Sequence, residues 1–359
     1  MRAALQGVNV FTGLNGCGKT NLYRALQLVA RAADGRLSRT LAQEGGLGSA
    51  LWAGEGQKRG KPVRLRIAVQ LDDWGYELSC GLPTPDNSKE PTYFSLDPLV
   101  REEYVWSGAR RTAANTHCER RESALIVRDA SGRPAPHVAL LDPGESMLAQ
   151  LSDPQTFPEL FARRAEITQW RFYHHFDTGP RSPLREPALA TCTPVLAEDG
   201  RDLICALRTI HEIGDSALLY ATLRDAFPAA SWEFRRADSG FMTLRMLSSL
   251  PRPLDLRELS DGTLRFLCLA AALLSPRPPK LLALNEPENS LHAGLLPALG
   301  RLVARAAAHS QIWVTTHSRV LADEIASAAR VRPFELLLSP ELDTQGAGAT
   351  RFDHIEAAE

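Results

Sequence analysis

The first elements predicted from the hydrophobic pattern are a strand, a loop and a helix. Apolar residues dominate from Val8 to Thr12, and a glycine-rich loop follows them. From Asn21 to Val29 the apolar positions recur at helical spacing. The chain is therefore predicted to begin with a strand that leads through a tight loop into a helix.

The next part of the chain alternates between apolar and polar positions with a period of two. This alternation runs from Val63 to Leu71, and a second strand is predicted near Tyr76 to Leu82. A further hairpin is predicted from Ala124 to Val127, with a return near His137 to Leu141. These segments predict an antiparallel β subdomain.

The middle of the chain is rich in proline and charge from about 143 to 194, which favours connections and short helices. One β-like stretch occurs there, from Ile167 to Phe176. The pattern from Leu203 to Phe227 is helical. We expect a helical arm in this region.

The last part of the chain has an α/β pattern with short apolar runs. Such runs are typical of parallel strands that are buried on both faces of a sheet. The predicted elements are a hairpin at Trp232–Leu247, an apolar helix at Gly262–Leu274, strands at Leu281–Leu284, Gln311–Thr315 and Phe334–Leu338, and helices at Gly294–Ala308 and from Ser318.

Composition narrows the classes of partner. The 359-residue chain is 44% hydrophobic, as in an ordinary globular protein, and its net charge of −1 gives no whole-chain argument for nucleic acid or an acidic membrane. Its six cysteines contain no CxxC pair, which suggests reduced thiols and argues against zinc. No apolar run is long enough for a membrane span, so we expect a cytoplasmic protein.

The loop from Gly13 to Thr20 matches GxxxxGK[ST] in the required context of strand, loop and helix. Backbone N–H groups of such a loop surround phosphates, Lys19 reaches the β- and γ-phosphates, and Thr20 can ligate Mg²⁺. A glycine-rich turn that binds nothing is the alternative, and it explains neither the lysine nor the threonine. The predicted ATP contacts in this loop are Asn15, Gly16, Cys17, Gly18, Lys19 and Thr20.

Ser260 and Gly262 lie where the apolar helix begins, and the N–H groups of a helix N-terminus can bind a second anion. A simple helix cap is the alternative, and Ser260-Asp261 taken alone suits a cap better.

Two further strands deliver polar residues at their carboxyl ends, where α/β sheets bind ligands. Glu286 can orient or deprotonate an attacking water, and Asn285 can contact the Mg²⁺ shell. His317 can donate to the γ-phosphate or hold that water. A solvated turn and a structural histidine are the alternatives for these positions.

The order of these motifs resembles that of ABC-type ATPase heads of the RecF and SMC kind, which are AAA-family P-loop ATPases related to the overcoming-lysogenization type. Gly13–Thr20 is similar to the Walker A loop, Ser260–Gly262 to the signature and Asn285-Glu286 to the end of the Walker B strand. Ser290-Leu291-His292 falls at the D-loop, and His317 at the switch histidine. The sequence Glu-Pro-Glu at the end of this strand argues against an ATPase subunit of a transporter.

The resemblance implies an α/β fold of the P-loop NTPase class, with an antiparallel β subdomain and a helical arm inserted between Walker A and the signature. The expected organisation is one bipartite head with an N-terminal lobe at 1–180, the arm at 181–230 and a C-terminal lobe at 231–359. It also implies a homodimer that holds two ATP molecules, each between the Walker A loop of one copy and the signature of the other. Lys19, Glu286 and His317 would be the catalytic residues.

The chain departs from the family pattern at Asn285, where an acidic residue is usual. An amide brings no negative charge, so we expect weaker Mg²⁺ binding and slow hydrolysis. The family also has a glutamine at a strand end, and Gln169 is the candidate, giving Thr20, Asn285 and Gln169 as predicted metal ligands.

Two other groups of residues are candidates for metal or phosphate binding. Neighbouring side chains of a strand point to opposite faces, which argues against one metal site at His174-His175 with Asp177. Arg181, Arg185 and Arg201 could contact phosphate or DNA, but a solvated surface is the favoured interpretation.

The leading hypothesis is an ATP-hydrolysing switch that acts in DNA repair, recombination or defence, with the DNA half carried by the resemblance alone. The alternative is a slow, ATP-gated scaffold that recruits a partner protein without binding DNA. A nuclease domain is not expected in this chain because few residues follow His317, although a separate nuclease or effector protein is a candidate partner.

Overall fold

The structure is a computed structural model that describes residues 5–50, 64–83, 93–128, 132–338 and 350–352. The strands are β1 Val8–Gly13, β2 Arg64–Gln70, β3 Trp74–Gly81, β4 Leu99–Ser107, β5 Thr116–Arg121, β6 Ala124–Arg128, β7 Pro134–His137, β8 Arg171–Tyr173, β9 Ala188–Leu189, β10 Ser231–Arg236, β11 Phe241–Leu247, β12 Leu254–Asp255, β13 Leu281–Asn285, β14 Gln311–Thr315, β15 Phe334–Leu338 and β16 Thr350–Phe352. The α-helices are α1 Lys19–Ala33, α2 Leu37–Gln43, α3 Leu47–Ala50, α4 Met147–Gln150, α5 Pro158–Ile167, α6 Leu203–Ile213, α7 Ser216–Ala226, α8 Asp261–Leu273, α9 Leu296–Ala306 and α10 Arg319–Ala329.

The described residues form two compact units. The first unit contains the chain up to Tyr23, residues 170–338 and β16, and the second contains residues 24–169. These units divide the chain differently from the predicted lobes, because α6 and α7 of the predicted arm belong to the same unit as the parallel sheet. No described helix combines the length and the apolar character that a membrane crossing requires.

The first unit is built on a mainly parallel sheet in the order β16-β15-β1-β14-β13-β8. β1 pairs in parallel with β14 on one side and β15 on the other, and β16 alone runs antiparallel to its described neighbour. All five residues of β13 are buried, which explains why this strand reads as a continuous apolar run. The sheet brings the carboxyl ends of β1, β13, β14 and β8 to one edge.

Helix α8 is the centre of the hydrophobic core of the first unit. From Leu264 to Leu273 every residue of this helix is buried, in one cluster with side chains of α6, α9, β13 and β14. A smaller antiparallel sheet, in the order β10-β11-β12 with β9 on β11, belongs to the same unit. The predicted hairpin at 232–247 is confirmed as β10 and β11.

The helical segment predicted from Leu203 to Phe227 consists of two helices, α6 and α7. Gly214 ends α6 and donates its N–H to the carbonyl of Ile210, and Asp215 then caps α7 by accepting the N–H of Leu218. A glycine followed by an aspartate is a strong stop and start signal. The helical prediction is confirmed, and this local signal explains why the segment is divided in two.

The second unit contains an antiparallel meander, in the order β2-β3-β4-β5-β6-β7. It confirms the predicted antiparallel subdomain, although Val63 at the start of the predicted alternation lies outside the described residues. Strands β4 and β5 were not predicted.

A buried carboxylate lies in the core of the second unit. Glu103 accepts hydrogen bonds from the Tyr76 hydroxyl at 2.6 Å, the Met147 N–H at 2.8 Å and the Ser146 hydroxyl. The guanidinium of Arg120 lies 4.0 Å away. Burial raises the pKa of the Glu103 carboxyl above its ordinary value, because the charged form loses its hydration.

Candidate nucleotide-binding site

The phosphate loop joins β1 to α1 through a position that only glycine can occupy. Gly13 has φ +149°, and a Cβ there would lie 2.6 Å from the carbonyl oxygen of Leu336 and 2.7 Å from Sγ of Cys17. The loop then turns through Gly16 and Gly18, both with positive φ, and α1 begins at Lys19. This geometry presents the N-terminus of a fifteen-residue helix to the loop.

The side chain of Lys19 is buried and packs against the phosphate loop. Its Nζ donates to the carbonyl oxygens of Gly13 at 2.6 Å and Leu14 at 2.9 Å, and it lies 3.8 Å from Sγ of Cys17. An ammonium group has three donors, and here they are directed at two carbonyl oxygens and one sulfur of the loop, so a phosphate oxygen would replace one of these acceptors. Cys17 itself is buried and does not line the pocket described next.

A pocket brings together three of the four regions that are predicted to act on ATP. It is lined by Asn15, Gly16, Gly18, Lys19, Thr20, Asn21, Glu286 and His317. Residues from the ends of β13 and β14 therefore face the helix N-terminus and the lysine that follow β1.

Glu286 follows β13 in a strained backbone conformation. Its φ is +48°, which is rare for a residue other than glycine, and its N–H donates to the Thr315 carbonyl at 2.8 Å. The carboxylate is oriented as well, because Nδ2 of Asn289 donates to its Oε2 at 3.0 Å. Strain held in place by neighbouring hydrogen bonds is common at functional sites.

Asn285 is buried and both ends of its amide have protein partners. Its Oδ1 accepts from the Thr315 hydroxyl at 2.5 Å, and its Nδ2 lies 2.6 Å from Nδ1 of His174. Asn285 is not among the residues that line the pocket. Contact between Asn285 and Mg²⁺ stays a prediction.

Glu288 supports the segment that carries His317. Its Oε1 accepts the Thr316 hydroxyl at 2.5 Å and the N–H groups of His317 at 3.0 Å and Ser318 at 3.2 Å. The imidazole Nδ1 of His317 lies 3.2 Å from the same oxygen. Ser318 then caps α10 by accepting the N–H of Leu321.

The signature segment forms a second pocket in the first unit. Ser260 caps α8, because its Oγ accepts the Thr263 N–H at 3.1 Å, so the cap interpretation of this serine is confirmed. Gly262 packs against the D-loop, where a Cβ would lie 2.7 Å from the carbonyl oxygen of Ser290. The lining residues are Ala226, Phe227, Ser260, Asp261, Gly262, Thr263, Ser290, His292, Gly294 and Leu295, none of which lines the first pocket.

Two buried arginines fix the signature helix to its surroundings. Arg265 donates to the carbonyls of Glu286 at 3.2 Å and Pro287 at 3.4 Å. Arg185 donates to the carbonyl of Leu259 at 2.7 Å and to Oδ1 of Asp261 at 2.6 Å. The prediction of a solvated surface was wrong for Arg185, because this guanidinium satisfies carbonyls that the burial of the loop leaves without water.

Gln169 does not end a strand. Helix α5 runs to Ile167, and Gln169 lies exposed in the turn that precedes β8. The predicted strand at 167–176 shrinks to three residues, so its carboxyl end is followed by His174. The prediction that Gln169 occupies a strand end was wrong, and contact between Gln169 and Mg²⁺ stays a prediction.

Sequence reasoning missed His174, Glu288 and Asn289 as residues of the site. The sequence suggests His174 only as a metal ligand, and no group of three metal-ligating His, Cys, Asp or Glu side chains occurs in the described part of the chain. The second glutamate of Glu-Pro-Glu was the one available signal for Glu288.

The donor set of the pocket suits Mg²⁺ held together with a triphosphate. Mg²⁺ prefers oxygen ligands and is commonly held by one or two protein oxygens together with phosphates and water. The hydroxyl of Thr20 and the carboxylate of Glu286 line the pocket that contains Lys19. Thr20 would hold the ion directly, and the bound ion would supply positive charge to the phosphate oxygens.

The chain is similar to a family of AAA domains in part of its length and to SMC heads in its fold. Residues 212–323, less than half of the chain, match the family model described as "AAA domain, putative AbiEii toxin, Type IV TA system". An SMC head bound to the C-winged helix domain of ScpA matches over 98% of this chain and 92% of that one, with a TM-score of 0.52 and 12% identity. The chain has the fold of an SMC-type ABC ATPase head.

Other SMC heads are similar at lower scores. The SMC head domain from Thermotoga maritima matches over 99% of this chain and 93% of that one, with a TM-score of 0.43 and 14% identity. A Pyrococcus furiosus SMC head bound to the C-terminal domain of ScpA covers 97% and 90%, with a TM-score of 0.45 and 12% identity. No curated protein matches the chain.

Proposed function

We propose that this ATPase head binds ATP with Mg²⁺ and hydrolyses it between two copies of the chain. The observation that carries the proposal is the pocket in which Lys19 and Thr20 face Glu286 and His317. Lys19 and the N-terminus of α1 bind the β- and γ-phosphates, and Thr20 holds the metal. Glu286 orients and deprotonates the attacking water, and His317 contacts the γ-phosphate.

Two separate pockets support the homodimer. The signature pocket contains Ser260 and Gly262 but, among its described lining residues, no lysine or arginine that would neutralise a triphosphate. The phosphate-loop pocket has the cation and the base. Each chain thus carries two complementary halves, and a second copy would supply the signature half to each nucleotide.

Turnover of ATP by the purified chain tests this proposal. We expect Lys19→Ala to lose ATP binding and Glu286→Gln to retain binding while losing hydrolysis. Light scattering of Glu286→Gln should show a doubled mass when ATP is added. A chain that binds ATP but does not hydrolyse it at high Mg²⁺ would contradict the proposed ATPase activity. A monomeric Glu286→Gln variant in the presence of ATP would contradict the proposed dimer that holds ATP between its two copies.

We propose DNA repair, recombination or defence as the process, with DNA as a partner and a separate nuclease or effector as a second one. The family description names a putative toxin of a type IV toxin–antitoxin system, which supports defence. Turnover with and without DNA at low salt is the test. An ATP turnover rate that is unchanged by DNA, in a chain that does not bind DNA, would contradict DNA as a partner.

A slow, ATP-gated scaffold is the second candidate, and Asn285 favours it. The buried amide brings no negative charge to the end of β13, so the metal is held with less charge than an acidic residue would give. An SMC head of similar fold is bound to the C-winged helix domain of ScpA, which supports a protein partner for this chain. Slow single-turnover hydrolysis with stable ATP-dependent dimers would favour this candidate.

A further inference from the structure

Arg265 is the one charged residue in the buried part of helix α8. The other residues from Leu264 to Leu273 are hydrophobic, and Arg265 is only 5% exposed. Removing a guanidinium from water costs free energy unless its N–H groups find acceptors, and burial also lowers the pKa of Arg265. A cation at this position therefore needs a specific set of partners.

The partners of Arg265 are three backbone carbonyls that lie just beyond the carboxyl ends of two neighbouring strands. Its guanidinium donates to the carbonyl oxygens of Glu286 at 3.2 Å, Pro287 at 3.4 Å and His174 at 3.4 Å. Glu286 and Pro287 follow β13, and His174 follows β8, which pairs with β13. One side chain of the signature helix thus holds the segments that follow both strands.

The backbone of Glu286 is unusual in two respects and needs such support. Its φ of +48° is rare for a residue other than glycine, and the proline that follows it restricts its backbone further. Conformations of this kind persist only where the surrounding structure holds them. The N–H of Glu286 is held by the carbonyl of Thr315, and its own carbonyl is held by Arg265.

Helix α8 contacts the same segment at a second point. Ser290, four residues after Glu286, also has a positive φ, of +63°, and a Cβ on Gly262 would lie 2.7 Å from its carbonyl oxygen. Gly262 and Arg265 are three positions apart on α8, so they lie on the same face of the helix. The first turns of the signature helix and the segment 286–290 therefore pack together, and Arg265 contacts the end of the segment that carries the base.

We propose that Arg265 is the positioning residue of Glu286. By fixing the carbonyls of Glu286 and Pro287 from the signature helix, it holds the Glu286 carboxylate at the place from which the attacking water is oriented. This inference rests on the proposed function of the pocket. Arg265 is not among the described residues that line that pocket, so it acts through Glu286 and not on the nucleotide.

Arg265→Met removes all three hydrogen bonds and keeps most of the apolar stem. Arg265→Lys keeps the charge but replaces the planar fork of donors with a single ammonium group. Arg120→Met is the matched control, because Arg120 is also buried and also donates to three backbone carbonyls. These acceptors, in the second unit, are Glu122, Asp142 and Glu145. Each variant is assayed at a temperature at which its urea unfolding curve shows a folded chain.

The first readout is ATP turnover, divided into kcat and KM. We expect Arg265→Met to lower kcat by about 100-fold and to leave KM and ATP affinity unchanged, because a base displaced by about 1 Å loses its alignment with the water while the phosphate loop stays intact. Arg265→Lys should lose less kcat, and Arg120→Met should retain the kcat of the unmodified chain. An unchanged kcat or a loss of ATP binding in Arg265→Met would overturn the proposal, as would an equal loss of kcat in Arg120→Met.

The second readout does not depend on turnover. Hydrogen exchange, measured by mass spectrometry on the protein without nucleotide, reports the segment 286–291, where the N–H groups of Glu286 and Asn289 are hydrogen-bonded. In Arg265→Met this segment should exchange about tenfold faster relative to α9, whose amides report opening of the whole unit.

The exchange rates separate this inference from the proposed function. Unchanged exchange at 286–291, or an equal acceleration in α9, would overturn the positioning role. Selectively faster exchange at 286–291 in a chain that does not hydrolyse ATP would support the hold of Arg265 on Glu286 and contradict only the proposed function.

Discussion

The side-chain amide of Asn285 and the imidazole of His174 lie 2.6 Å apart and join the carboxyl ends of β13 and β8. Because an amide nitrogen only donates, Nδ1 of His174 accepts, and the proton of the neutral ring is on Nε2. The Thr315 hydroxyl holds the other end of the amide. Asn285 therefore has a defined structural role at a position where the family resemblance implies an acid.

Asn285→Asp should lower the Mg²⁺ concentration needed for half-maximal turnover. A carboxylate adds one negative charge at the end of β13, and we expect an effect of roughly tenfold. His174 can accommodate the change by moving its proton to Nδ1. Magnesium titrations of turnover measure the effect, with Gln311→Glu, at the start of β14, as a control for added charge. An unchanged requirement would contradict the placement of Asn285 beside the metal.

Arg185→Met should destabilise the first unit. The guanidinium satisfies the buried carbonyl of Leu259 and pairs with the exposed Asp261, and its loss leaves the Leu259 carbonyl without this donor. We expect the free energy of unfolding to fall by about 2 kcal/mol, measured by urea denaturation. Arg201→Met removes an exposed arginine and should change little, so equal effects of the two substitutions would contradict this prediction.

Gly262→Ala should prevent ATP-dependent dimerisation and leave nucleotide binding by the single chain intact. The added methyl would lie 2.7 Å from the Ser290 carbonyl oxygen and would displace the signature from the D-loop. The measurement is light scattering with ATP in the Glu286→Gln background, together with binding of a fluorescent ATP analogue. Gly7→Ala, with no atom within 4 Å of the new methyl, is the control. Dimers of normal affinity would refute the role of Gly262.

Glu103→Gln should remove part of the pH dependence of stability. Burial raises the pKa of the Glu103 carboxyl in the folded state, so the folded chain binds more protons than the unfolded one above the ordinary value of 4.5. The contribution of Glu103 is full below that value and is lost as pH rises through the folded-state pKa, with a slope of at most about 1.4 kcal/mol per pH unit.

Urea unfolding between pH 5 and pH 8 tests the effect of Glu103. The free energy of unfolding should decline less with pH in Glu103→Gln than in the unmodified chain, whereas Glu159→Gln, at a partly exposed ion pair, should behave like the unmodified chain. Parallel curves for Glu103→Gln and the unmodified chain would contradict the prediction.

The elements that hold the site were predictable to different degrees. Strands β13 and β14 are buried on both faces, so local hydrophobicity alone marks them. β8 has three residues and follows α5 after a short turn, so no periodicity distinguishes it. The phosphate loop is encoded in eight consecutive residues. By contrast, the His174–Asn285 contact spans 111 positions, and only the register of β8 on β13 creates it.

The two pockets of the chain share no described lining residue, and this has a genetic consequence. If a nucleotide is cleaved between two copies, a chain defective at Lys19 and a chain defective at Gly262 should complement each other when they are produced in the same cell. Their mixed dimer contains one intact composite site, built from the sound half of each copy. Two defects in the same half should show no such rescue, so paired alleles would map which residues work in cis and which in trans.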